Sequence, residues 1–160
     1  MERFPDAAGA FGPHRAYPDH SPFVHRDIAA HFRSFQSLPI AVSRALDEDR
    51  WAARDPAFRQ RLHYYSDNNS CMRRSFWEQE PYPEVAFGED QLRAERIIER
   101  GWQRLYVPSA VVYHSHDFTP QEMRERAETE ARFFLEHFGY VMVDEERHAI
   151  DNNRRAAEAS

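Results

Sequence analysis

Two acidic residues, Glu89 and Asp90, follow Phe87-Gly88, and two imidazoles, His114 and His116, flank Ser115 after an apolar stretch further along the chain. A carboxylate can accept a proton or bind a cation, and an imidazole can ligate a metal or contact a phosphate. The four side chains could therefore set a general base beside a divalent ion, which suits a group-transfer enzyme better than a passive binding module. The polar run Ser66-Asp67-Asn68-Asn69-Ser70, followed by Cys71-Met72-Arg73-Arg74, is either a turn or a ligand-facing rim.

These residues need elements to hold them. Phe87-Gly88 leads into a helix with Ala94, Ile97 and Ile98 as its buried stripe and Gly101 as its stop, so the acidic pair falls in the first turn. Unpaired amides and the helix dipole favour ionised carboxylates there, and that preference, about 0.3–1 kcal/mol each, is also a sufficient structural reason for the pair. Residues 102–107 and 110–113 read as short strands parted by Pro108. If the second strand persists, His114 and His116 share a face. A hydrogen-bonded structural histidine stays open as the alternative for His116.

Upstream, the small apolar run from Ala7 to Gly12 reads as a buried strand, and Pro13, Pro18 and Pro22 as a loop. A helix is expected from Asp27 to about Phe35, with Ile28, His31, Phe32 and Phe35 on one face. Residues 36–54 show no clear period. Asp55-Pro56 marks a helix start running to about Tyr64. Ser75-Phe76-Trp77-Glu78 has the capping-box pattern, and Pro81-Tyr82-Pro83 ends that helix. Thr119-Pro120-Gln121-Glu122 is a second such box, opening a long helix with Met123, Ala127, Ala131, Phe134 and Phe138 inward and Gly139 as its end. The expected organisation is one domain over residues 1–143 and a charged, fraying tail over 144–160.

Composition narrows the class. The 160 residues are 41% hydrophobic and 14% aromatic, enough for a core, with a mean hydropathy of -0.83. A net charge of -6 argues against nucleic acid, which calls for a basic stripe. All basic residues besides His are Arg, for which codon bias is the plain explanation. The single Cys71 forms no intrachain disulfide, no run approaches a membrane span, and the amino terminus is unlike a signal peptide. Cytoplasmic residence is the expectation, with contact at the inner face of the membrane open through a lipid-linked substrate or another chain.

In order along the chain, segments 65–77 (YSDNNSCMRRSFW), 81–91 (PYPEVAFGEDQ) and 106–116 (YVPSAVVYHSH) resemble the second half of family 2 glycosyltransferases. The nearest subgroup is the rhamnosyltransferase-like enzymes that use nucleotide-activated sugars, and the similarity spans roughly residues 5 to 139. It implies an α/β fold: the C-terminal half of a GT-A (nucleotide-diphospho-sugar transferase) domain, with a mixed, mostly parallel sheet flanked by helices. It implies Asp90 as the base of inverting transfer to a saccharide or lipid-linked acceptor, with Glu89 binding the acceptor or orienting the base. Asp67, Asn68 and Asn69 would line the donor and acceptor cleft, and Arg73 or Arg74 would reach a phosphate. His114, with His116 sharing the task, would help hold Mn2+ or Mg2+ on the phosphates of the nucleotide-sugar donor.

One motif departs from that pattern. The family's Asp-x-Asp metal motif lies in an amino-terminal, nucleotide-binding half, whereas Asp47-Glu48-Asp49 falls downstream of the first strand and reads as a solvated acidic loop. The expectation is therefore an enzyme half without its donor site, binding the cation only when a complementing chain or the missing half supplies further ligands. Homo-oligomer formation stays open. The alternative is a noncatalytic remnant that binds a saccharide or pairs with a partner through an exposed sheet edge. A small metal hydrolase built on Glu89, Asp90, His114 and His116 is a third reading, without a closed ligand set.

Overall fold

The computed structural model describes residues 1–140, so the expected tail and the domain boundary at 143 lie outside the described residues. Strand β1 (Ala7–Phe11) is fully buried and forms the centre of a four-stranded sheet ordered β3-β5-β1-β4, with β3 at Ala41–Val42, β4 at Ser70–Met72 and β5 at Gln103–Tyr106. Only β1 with β5 is parallel; β1 with β4 and β3 with β5 run antiparallel. The sheet is mixed as expected but not mostly parallel, because the two short edge strands both return against their neighbours. A second, two-stranded parallel ribbon joins β2 (His14–Arg15) to β6 (Val112–Tyr113).

Helices α1 (Pro22–Ser34), α3 (Pro56–His63) and α5 (Glu89–Glu99) put Phe32, Leu62, Ile97 and Ile98 into one core with Phe11 and Tyr106 of the sheet. On the opposite face Ala7, Ala10 and Leu105 are covered by Met1 and Phe4. Helix α5 follows its expected stripe, with Ala94, Ile97 and Ile98 each fully buried. No helix among the described residues is long and apolar enough to cross a membrane.

Several boundaries differ from expectation for local reasons. Pro22 opens α1 instead of belonging to the loop, because Ser21 caps the helix by accepting from the Val24 amide and proline fits the first helical position. Asp47-Glu48-Asp49 is not a loop: Asp47 accepts from the Arg50 amide and starts α2 (Glu48–Ala52). Helix α4 (Arg74–Gln79) begins two residues earlier than a Ser75 cap would start it, without a side-chain cap, and Glu78 pairs with Arg74 at 2.8 Å instead of closing a box with Ser75. The capping box of α6 (Pro120–Phe138) does form. Its inward stripe is shorter than expected, however: Phe133 and Phe134 are buried while Met123 is 39% exposed, because the early turns project beyond the core.

Candidate functional site

Gly88 turns the chain at φ 75°, and Glu89 and Asp90 occupy the first turn of α5. Asp90 Oδ1 accepts from the Gln91 amide at 2.8 Å. Burial pushes the Asp90 carboxyl up to about 6, and the charges of Asp67 and Glu89 add to that against the pull of the Gln91 amide. Asp67, in the helical turn Asp67–Asn69, is exposed as a residue, but its carboxyl is sheltered enough for desolvation to raise its pKa. The Tyr82 hydroxyl, which donates to Asp67 Oδ1 at 2.6 Å, opposes that rise. Tyr64 also feels Asp90: burial raises its hydroxyl pKa and the Asp90 charge raises it further. The charges of Asp67, Glu89 and Asp90 thus act on one another, with the Tyr82 hydroxyl bonded to Asp67 and the Tyr64 hydroxyl feeling Asp90.

The histidines form a second group. The rings of His114 and His116 are 5.0 Å apart and nearly perpendicular, and His14 lies 5.0 Å from His114 on its other side. The parallel register of the ribbon, His14 opposite Val112, brings these rings together. Burial and the neighbouring His114 and His31 lower His14 to about 4, and burial followed by His116 and Arg126 lowers His114. Neutral imidazoles have free lone pairs, the form a metal requires. Nevertheless, among the described residues no group of three His, Cys, Asp or Glu could hold a metal ion. The residues present do not fit a closed Mn2+ or Mg2+ site.

One short turn connects the two groups. Ser66 Oγ is 3.1 Å from His14 Nε2, and the next residue, Asp67, takes the Tyr82 hydroxyl. Asn69, two residues on, has a backbone role: its Nδ2 donates to the carbonyls of Ala110 at 2.6 Å and Pro13 at 3.3 Å, and its own carbonyl accepts from Gly12. Asn68 is exposed. The Arg73 guanidinium donates to the carbonyls of Ala7 and Phe4, tying down the amino terminus, and Arg74 is 87% exposed in its pair with Glu78.

Sequence reading passed over His14, Tyr64, Tyr82 and Arg93. Arg93 carried a readable signal, since it follows Glu89 by one helical turn on the same face. It is 1% exposed, stacks on the Tyr82 ring at 4.1 Å and donates to the Glu80 carbonyl. His14, Tyr64 and Tyr82 gave no local pattern, because only tertiary pairing brings them to the site.

No protein-family profile matches the chain, and no solved structure matches it. Among curated proteins, it is 35% identical over 65 residues to the O-antigen chain rhamnosyltransferase RfbN of Salmonella typhimurium (strain LT2). That match covers 39% of this chain and 21% of the relative, so the chain spans about a fifth of that protein's length. The likeness is distant and partial, and it points towards glycosyltransferases.

Proposed function

We propose that this chain carries the acceptor-side, base-bearing part of an inverting glycosyltransferase, with Asp90 as the base. The observation that carries the reading is the position of Asp90: partly buried in the first turn of α5, under the charges of Asp67 and Glu89, with its pKa raised to about 6. A base poised just below neutral pH is ionised at work yet basic enough to take a proton in the transition state.

In the proposed reaction the acceptor hydroxyl gives its proton to Asp90. Its oxygen forms the new bond to the anomeric carbon, and the bond to the nucleoside diphosphate breaks on the opposite face, leaving an inverted centre. Glu89 and Asp67, as ionised acceptors, would receive hydrogen bonds from acceptor hydroxyls. Rhamnose as the transferred sugar is supported by the name of the partial relative. The donor's cation is no part of the derived step, because the residues present do not close a site for it. Its ligands, His114 and His116 among them, would have to be completed from elsewhere.

A second reading, a saccharide-binding protein without transfer, is favoured by one observation: the acidic run Asp47-Glu48-Asp49 starts α2, with Asp47 as its cap, and supplies no donor-side carboxylates. The test is transfer of labelled sugar from nucleotide-activated rhamnose to saccharide acceptors, using the longest protein the coding sequence encodes. Asp90→Asn is expected to lower turnover by about a hundredfold or more while leaving donor affinity within a few-fold. Retained turnover removes Asp90 as base. Acceptor binding without transfer in the unmutated protein selects the second reading.

A further inference from the structure

We propose that Tyr82 is a positioning residue for the candidate base: it ties Asp67 to the face of α5 on which Arg93 follows Asp90 by one turn. The inference rests on the reading of Asp90 as a base, but the geometry behind it is independent. Tyr82 stands between Pro81 and Pro83, whose rings fix the backbone on either side of it. Its hydroxyl donates to Asp67 Oδ1 at 2.6 Å, a short contact of the charge-assisted kind. Behind the ring lies the guanidinium of Arg93, 4.1 Å from the centroid. Arg93 is buried, and although it donates to the Glu80 carbonyl, its Nε and Nη2 have no hydrogen-bond partner. Arg93 interacts with Tyr82, Asp67 and Glu80, and its charge favours the ionised form of Asp67.

The groups acting on each carboxylate can be named. Asp67 interacts with Tyr65 from the segment after α3, with Tyr82 from the segment after α4, and with Glu89 and Arg93 from α5. Asp90 faces Asp67 from the turn, Tyr64 from the end of α3, and Glu89 on its own helix. Burial raises the Asp67 pKa, Tyr82 and Arg93 oppose that rise, and the charge on Asp67 makes Asp90 harder to ionise. Removing the hydroxyl should therefore act on two residues in opposite senses. Asp67 would take up a proton more readily, and Asp90 would lose part of the repulsion and become more acidic. A purely structural tyrosine would not produce that paired movement.

The experiment is carboxyl-carbon NMR titration of Asp67, Glu89 and Asp90 in the full chain, comparing the unmutated protein with Tyr82→Phe and Asp67→Asn. Phenylalanine keeps the ring and its stack on Arg93, so the fold should survive, and Asp67→Asn reaches the same coupling without touching Tyr82. In Tyr82→Phe the Asp67 midpoint is expected to rise, and the Asp90 midpoint to fall part of the way to its value in Asp67→Asn. An Asp90 midpoint that stays put in Tyr82→Phe while moving in Asp67→Asn overturns the proposal. So does an Asp90 midpoint that ignores Asp67→Asn. Because these readouts need no turnover, loss of the base assignment through active Asp90→Asn protein would leave the coupling to be judged separately.

Discussion

Gly88 lies directly against Phe133: a Cβ on Gly88 would stand 2.3 Å from the Phe133 Cζ. The residue that opens α5 is thus also the seat of α6, and its φ of 75° is one that L side chains rarely adopt. Gly88→Ala combines a left-handed backbone cost of about 1–2 kcal/mol with a clash that only movement of Phe133 relieves. The expected loss of stability is about 2–3 kcal/mol by chemical denaturation, with displaced amide resonances for Glu89 and Asp90. A loss below about 0.5 kcal/mol would mean that α6 does not seat on the helix start as the geometry requires.

Asp90 should cost the fold stability at neutral pH. Its pKa rises from 3.8 unfolded to about 6 folded, so the folded state is favoured when it is protonated, and that advantage is lost as pH rises through about 6. The shift of about two units corresponds to roughly 3 kcal/mol, which partial exposure reduces to about 1–2. Asp90→Asn is therefore expected to raise stability at pH 7 by about 1–2 kcal/mol and to leave it nearly unchanged at pH 4. Equal stabilisation at both pH values would assign the gain to packing instead of to an ionised, poorly solvated carboxylate.

Much of the frame could be read locally, because caps and glycines act over a few residues. Asp55, Thr119 and Gly139 stand where helix signals put them, and the stripe of α5 follows from its period. The rest depended on partners distant in sequence. Arg104 sits on a buried strand position beneath Phe11 and Phe35, donating to the Arg61 carbonyl, where a local pattern calls for an apolar residue. The candidate site divides in the same way. Glu89 and Asp90 were marked by their place at a helix start. Asn69 and Arg73 stand in and just after a polar run that is visible in the sequence, whereas the backbone groups they hold lie on other segments.

Acid should destabilise the protein through histidines that are buried uncharged. His63 is fully buried and lowered to about 3 by desolvation and then by Arg59 and Arg104; His14 is lowered to about 4. For a depressed histidine the stabilisation is complete above the unfolded pKa of 6.5 and is lost as pH falls towards the folded value. His63 should remove up to about 2 kcal/mol between pH 6.5 and 5 and the half-buried His14 about half of that, together more than the roughly 1 kcal/mol that Asp90 regains there. His63→Leu, which keeps an apolar side chain against Phe138, is expected to flatten the pH dependence of urea unfolding in this window. An unchanged slope would mean that His63 is hydrated in the folded state.

Asn69 gives a prediction that separates a structural role from ligand contact. Its amide joins two loops by donating to Ala110 and Pro13, while its carbonyl accepts from Gly12, where an added Cβ would come within 2.0 Å of the Ala110 oxygen. The two segments meet here with no room for a side chain, and the meeting sets the register of β2 against β6, hence the approach of His14 to His114. Asn69→Ala leaves the Ala110 carbonyl without its donor and the Pro13 carbonyl with the Val112 amide alone, and is expected to cost about 1–2 kcal/mol. Hydrogen exchange should then quicken at the amides of Val112 and His114, which donate to Pro13 and Arg15 across the ribbon. Asn68→Ala, at an exposed neighbour without such bonds on this ribbon, should leave both rates unchanged. If Asn69→Ala instead weakens saccharide binding while the ribbon amides keep their protection, Asn69 contacts ligand and the loop register has another source.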